Sequence, residues 1–134
     1  MSEVAPAQVR VLVVDDQDPF RRAMTAVVHE TDGFVVVGAV ASGEESLVAA
    51  EDLGPDLVLM DVHLPGIDGL EAARRLGRSD DPPVVVLLST YDEDDVDVVG
   101  CGAAAYVAKS TLSPARLQHV WSERGSRAQS PPGA

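Results

Sequence analysis

Four places in the 134-residue chain set a polar, chemically capable side chain directly after a short apolar run. Asp15 and Asp16 follow Val11-Leu12-Val13-Val14, and Asp61 follows Leu57-Val58-Leu59-Met60. Ser89 and Thr90 follow Val84-Val85-Val86-Leu87-Leu88, and Lys109 follows Ala104-Ala105-Tyr106-Val107-Ala108. Three carboxylates in one crevice repel one another, by roughly 4 kcal/mol for a pair about 4 Å apart at an effective dielectric near 20. A cation is therefore expected with them. Hard oxygen donors without clustered His or Cys favour Mg²⁺, which binds one or two carboxylates and keeps water or phosphate oxygens for the rest. Of ten basic residues nine are arginine, and Lys109 is the single lysine. A compact ammonium on a flexible stem follows a phosphoryl group as a point charge, whereas arginine's planar fork demands a fixed bidentate geometry. Each feature alone has an ordinary alternative, since paired Asp residues cap loops, Ser and Thr form turns and a lone lysine follows from compositional bias. Their shared place at the ends of apolar runs carries the reading.

The first three of those runs, with Val35-Val36-Val37, lack the polar alternation of a one-sided sheet and read as strands buried on both faces, while Ala104-Ala105-Tyr106-Val107-Ala108 is a weaker fifth strand whose poor β-propensity is offset by its position in the series. Helical patterns lie between them. Phe20, Ala23, Met24, Val27 and Val28 share one face, with Asp18-Pro19 as the start and Gly33 as the stop. Ser42-Gly43-Glu44-Glu45 has capping-box spacing, with Gly54-Pro55 at the far end. Asp68 opens a third helix around Leu70, Ala73 and Leu76. Ser113-Pro114 opens the last, on which Leu117, Val120 and Trp121 share a face. The fourth, between Asp95 and Gly100, has only Val96 and Val99 suitably spaced and is expected to be short and frayed. Five alternations of strand and helix predict a doubly wound α/β fold, a parallel sheet with helices on both faces. In such a sheet ligands bind beyond the carboxyl ends of the strands, where these polar residues sit. The second strand contributes only Ser42 there, which fits a sheet edge.

Composition bounds the function. A net charge of −12 repels a phosphate backbone, so direct nucleic-acid binding by this chain is not expected. With 46% hydrophobic and 24% charged residues the chain is expected to fold as one domain. Cys101 is the single cysteine, which excludes an internal disulfide and reads as a small core residue. No apolar run approaches the roughly 20 residues that span a bilayer. Met1 to Gln8 lacks the regions of a signal peptide, and the cytoplasm is the expected compartment. His29 and His119 lack metal-ligand spacing, Trp121 reads as packing, and Asp92-Glu93-Asp94-Asp95 reads as a solvated helix start. Residues 1–8 read as an N-terminal extension, 9–124 as the folded domain and 125–134 as a disordered tail whose Pro-Pro-Gly-Ala ending resembles a natural terminus.

Val11-Leu12-Val13-Val14-Asp15-Asp16, the run Met60-Asp61-Val62-His63-Leu64-Pro65-Gly66-Ile67-Asp68-Gly69, Leu88-Ser89-Thr90 and Tyr106-Val107-Ala108-Lys109 together closely resemble the receiver domains of two-component response regulators. The resemblance covers about Val9 to Arg124. Ser89-Thr90-Tyr91-Asp92 looks especially like receivers that precede a helix-turn-helix output domain. The resemblance implies a flavodoxin-like sheet of strand order 2-1-3-4-5. It implies Asp61 as phosphoacceptor, Asp16 as a direct magnesium ligand, Asp15 as a ligand through water and His63 as a ligand through its backbone carbonyl. Ser89 would be the switch hydroxyl, Lys109 the phosphoryl partner and Tyr106 the aromatic that changes orientation with signalling state. The implied chemistry is self-phosphorylation and self-dephosphorylation without turnover of another substrate, the implied cofactor Mg²⁺ and the implied partner a sensor histidine kinase, with a homodimer left open. The output surface would be the fourth helix, fifth strand and fifth helix.

His63 and Tyr91, each two residues beyond a site residue, are expected to tune dephosphorylation by admitting or excluding water. The stretch from Tyr91 to Tyr106 looks about two residues shorter than in similar receivers, which bears on any dimer surface built there. Three rival readings stand beside this one. A haloacid-dehalogenase-like phosphatase would carry a second acid where His63 stands, and a cap domain. An interaction module can operate without phosphorylation. The chain can also be a receiver excised from a longer DNA-binding regulator.

Overall fold

The computed structural model describes residues 8–89 and 102–128. The strands are β1 (Val9–Val14), β2 (Phe34–Val40), β3 (Leu57–Asp61), β4 (Val84–Ser89) and β5 (Ala105–Ala108). The helices are α1 (Asp18–His29), α2 (Gly43–Leu53), α3 (Gly69–Leu76) and α4 (Pro114–Ala128), with a short 3-10 turn at Lys109–Thr111. The helix that follows β5 is thus α4, the fifth helical segment of the sequence reading. The expected fourth segment, with Tyr91 and Cys101, lies outside the described residues.

All strand pairs are parallel and the order is β2-β1-β3-β4-β5, as expected. Side chains alternate faces along a strand, yet both faces here are apolar. Val11, Val13, Leu57, Leu59, Val86 and Leu88 pack with Met24 and Val28 of α1 and Leu117 and Val120 of α4. Leu12, Val14, Val58, Met60, Val85 and Leu87 pack with Ala72, Ala73 and Leu76 of α3 and with partly buried residues of α2. Two cores on one sheet explain why the strands read as continuous apolar runs rather than alternating ones.

Three expectations need correction. The β2 run is half-buried over most of its length rather than buried on both faces, because an edge strand has a neighbour on one side only. Gly33 does not end α1: the helix stops at His29 with Glu30 as cap, and Gly33, at φ 86°, makes the turn into β2. At the other end of α1, Gln17 occupies the cap position and Asp18 the first helical turn. Finally, α4 continues to Ala128, past the Gly125 at which the tail was expected to begin. A glycine inside a helix costs only about 1 kcal/mol relative to alanine, and Pro131 is the first residue whose ring opposes helix.

The capping signals act largely as expected. Ser42 Oγ accepts from the Glu45 N–H, while Glu45 returns its carboxylate to the Ala41 N–H, one residue earlier than the usual box. Asp68 Oδ1 accepts from the Glu71 N–H and Ser113 Oγ from the Arg116 N–H. Gly54, at φ 60°, closes α2 in the left-handed conformation. Among the described residues no helix is long and apolar enough to cross a membrane.

Candidate functional site

The parallel register delivers the polar residues to one level. Val14 pairs with Met60, Asp61 with Leu88, and Ser89 with Ala108, so the residues that close β1, β3, β4 and β5 lie side by side. Asp15 is held where β1 ends by its N–H donating to Val40 O at 3.1 Å. Its Oδ1 accepts from the Gln17 N–H at 2.9 Å, an Asx turn that aims the carboxylate. The side chain is fully buried and Arg21 Nη1 donates to its backbone oxygen at 2.7 Å.

Lys109 joins the two buried acids. Its Nζ stands 2.6 Å from Asp15 Oδ2 and 3.5 Å from Asp61 Oδ2, with side chains 5%, 0% and 8% exposed for Lys109, Asp15 and Asp61. The shorter contact is an ion pair by distance but not a directed hydrogen bond, since Asp15 Oδ2 has no well-angled donor. The longer one does meet hydrogen-bond geometry. Asp16, the third acid, is exposed at the rim. Carboxylate oxygens of Asp15, Asp16 and Asp61 lie within 4.8 Å of one another. An all-oxygen donor set of this charge, with one buried carboxylate oxygen left without a directed partner, fits a hard divalent cation.

Asp61 Oδ1 accepts from the His63 N–H at 3.1 Å. Burial pushes the Asp61 carboxyl above its ordinary value; the His63 N–H and the Lys109 ammonium pull the other way, and Asp15 adds to the rise. The charged form of Asp61 is thus under-compensated by the protein alone. Ser89 is fully buried at the end of β4. Tyr106 is half-buried on β5, and its hydroxyl is buried with no hydrogen-bond partner among the described residues. Five expected residues, Asp15, Asp16, Asp61, Ser89 and Lys109, come together at the strand ends. Tyr106 stands on the neighbouring strand, and His63 contributes its backbone beside an exposed side chain.

Three contributions escape sequence reasoning. A Cβ on Gly69 would lie 2.4 Å from Asp61 O and 2.7 Å from Val62 Cα, so the loop after Asp61 folds back only onto a glycine. Glu44, at the start of α2, accepts from the Ile67 N–H at 3.1 Å and ties down the same loop. Phe20 of α1 places its ring centroid 3.9 Å from Lys109 Nζ. Phe20 carries the core-facing periodicity of α1, but none of the three has a local signature that ties it to the site.

Comparison with known proteins agrees with this geometry. The family described as the response regulator receiver domain matches residues 11–121. The chain is similar to Response regulator GacA of Pseudomonas viridiflava, 48% identical over 103 residues covering 75% of this chain and 48% of that one. It is also similar to Transcriptional regulatory protein LiaR of Bacillus subtilis, 35% identical over 105 residues covering 77% and 50%. The chain therefore spans about half the length of these curated relatives. Among solved structures, the signal receiver domain of the putative response regulator NarL from Mycobacterium tuberculosis superposes with a TM-score of 0.78 at 29% identity, covering 87% of this chain and 98% of that one. A LuxR-family two-component response regulator from Aurantimonas superposes with a TM-score of 0.74 at 27% identity, covering 84% and 81%. With acids, hydroxyl and ammonium at the strand ends, the expected sheet order and a family match over most of its length, this chain belongs to the response regulator receiver domain family.

Proposed function

We propose that this receiver accepts a phosphoryl group on Asp61 from a phosphohistidine of a sensor histidine kinase, in the presence of Mg²⁺ held by Asp15, Asp16, Asp61 and the His63 backbone carbonyl. The observation that carries the reading is the Lys109 ammonium set between Asp15 and Asp61, with three acid side chains converging at its edge. A carboxylate oxygen of Asp61 forms a bond to phosphorus in line with the breaking P–N bond, and the imidazole leaves with the electron pair and is protonated. Lys109 meets charge on the equatorial oxygens as a point charge. When bound, Mg²⁺ neutralises carboxylate and phosphoryl charge at the same centre. Burial raises the Asp61 pKa, which fits a carboxylate whose charge a bound cation would offset.

The acyl phosphate then switches the surface. New oxygens draw the Ser89 hydroxyl inward, and Tyr106, whose hydroxyl is buried without a partner among the described residues, rotates with it. The readout surface comprises the segment preceding β5, β5 itself and α4, and it also serves a second copy of the chain where the receiver dimerises. His63 and Tyr91 tune the lifetime of the acyl phosphate; Tyr91 falls outside the described residues. The chain turns over no other substrate and, at a net charge of −12, leaves nucleic-acid contact to other residues or other proteins.

Incubation with Mg²⁺ and acetyl phosphate, followed by intact mass, tests this. Wild type gains one acid-labile phosphoryl mass and Asp61→Asn gains none. A wild type without that gain overturns the proposal in favour of a module regulated without phosphorylation.

A further inference from the structure

Among the described residues the Lys109 ammonium meets Asp15, Asp61 and the ring of Phe20, and the ring has no role in the transfer as described so far. On one side its Nζ meets Asp15 Oδ2 at 2.6 Å and Asp61 Oδ2 at 3.5 Å. The Phe20 ring centroid is 3.9 Å from the same nitrogen. With the lysine side chain 5% exposed, water holds the ammonium only weakly. A cation over an aromatic face is drawn to the ring's negative quadrupole, and the attraction grows as water is withdrawn. Phe20 is itself well placed to be a fixed wall. It follows Pro19 in the first turn of α1, on the helix face that buries Met24 and Val28 against the sheet. Ala23, Met24, Val27 and Leu112 continue that wall along a small recess shared with the lysine.

A lysine stem has four rotatable bonds, and carboxylate attraction alone is undirected. Asp15, the nearer acid, would satisfy the ammonium without leaving it at Asp61. Building on the phosphoryl-acceptor reading above, we infer that Phe20 is a positioning residue: its ring face holds the Lys109 ammonium beside Asp61, ready for the equatorial oxygens of the incoming group. Phe20 exchanges no proton or electron pair. The P–O or P–N bond of the donor breaks as the Asp61 O–P bond forms, and the acetate or imidazole leaves with the electron pair.

The test uses the full chain at saturating Mg²⁺ with acetyl phosphate, comparing wild type, Phe20→Tyr, Phe20→Leu and a chain with trifluorinated phenylalanine at position 20. The fluorinated ring keeps the shape and loses the quadrupole, so it remains decisive if the leucine variant folds poorly. The maximal phosphorylation rate is expected to fall about fivefold for the leucine and fluorinated chains and to be kept by tyrosine, with the half-saturating phosphodonor concentration unchanged. Nuclear magnetic resonance of the Lys109 ε-methylene supplies an activity-free readout: a ring-current shift in wild type and Phe20→Tyr, reduced in the fluorinated chain and lost in Phe20→Leu. A fluorinated chain at the wild-type rate, tyrosine falling with leucine, or no ring-current shift in wild type overturns Phe20 alone. A wild type that takes up no phosphoryl group overturns the phosphoacceptor reading and this inference with it.

Discussion

The centre and the edges of the sheet are built differently. In β1 and β3 the residues that lead to the acids, Val11 to Val14 and Leu57 to Met60, are all at most 1% exposed, and β4 ends in Ser89 at 0%. At the edges, β2 is half-buried and β5 has only four residues, of which Val107 alone is buried. Asp15, Asp61 and Ser89 thus stand on strands packed between two cores, whereas Tyr106 stands on the shorter, less buried edge strand, with Lys109 directly after it. The acids and the hydroxyl are placed on the firmly packed part, and the proposed readout, together with the lysine, on the edge.

The contrast can be broken most forcefully at the centre. Leu59→Ala, at a site with no exposure, should cost about 3 kcal/mol in denaturant unfolding, while Val36→Ala on the edge strand should cost about 1 kcal/mol or less. Equal losses would remove the distinction. Next is Gly69→Ala, whose methyl would press on the Asp61 carbonyl and should destabilise the fold by about 2 kcal/mol. Because the strain falls on the residue that holds the acid, Mg²⁺ affinity measured by calorimetry should weaken as well.

Asp61 itself sharpens the comparison through pH. Burial raises its pKa, so the folded chain binds that proton more tightly than the unfolded chain does. The resulting penalty is absent below the ordinary carboxylate range, grows as pH rises toward the raised value, and is complete above it. In metal-free buffer Asp61→Asn should therefore be the more stable protein at pH 7, with the gap closing on acidification in urea titrations. Adding Mg²⁺ should stabilise wild type and leave the variant unchanged, as expected when a ligand binds only the native state. The smallest effect belongs to Tyr106→Phe. Its hydroxyl has no partner among the described residues, so stability should stay within about 0.5 kcal/mol of wild type, and a loss beyond about 1 kcal/mol would mean that the edge is held as firmly as the centre.

The legibility of the fold follows the same divide. Strands β1, β3 and β4, buried on both sides, announce themselves as unbroken apolar runs, and the polar residues that follow them, Asp15, Asp61 and Ser89, were readable without coordinates as neighbours at the strand ends, while Lys109 stood out as the single lysine after a weaker run. The caps at Ser42, Asp68 and Ser113 were readable because a cap acts within four residues of itself. What stayed hidden depends on approach between distant segments. Glu44 meets Ile67 across 23 positions, and Gly69 is required by a carbonyl eight residues earlier that the loop brings back to it. Phe20 was readable as a core-facing helical residue but not as the neighbour of a lysine, because nothing local links α1 to the end of β5. The helix beyond Gly125 was hidden for a thermodynamic reason: one glycine lowers helical preference without blocking it.

The matched register of β1, β3 and β4 also governs how such a chain can change length over evolutionary time. Extra residues in the exposed connection between Arg78 and Pro83 leave the strand pairing as it is and cost only the slowly growing entropy of a longer loop. The loss of a single residue inside β3 would turn Asp61 to the opposite face and put it out of step with Asp15 and Lys109. Descendants of this sequence are therefore free to lengthen their loops, while the distance from the start of β3 to its acid is closed to insertion and deletion alike.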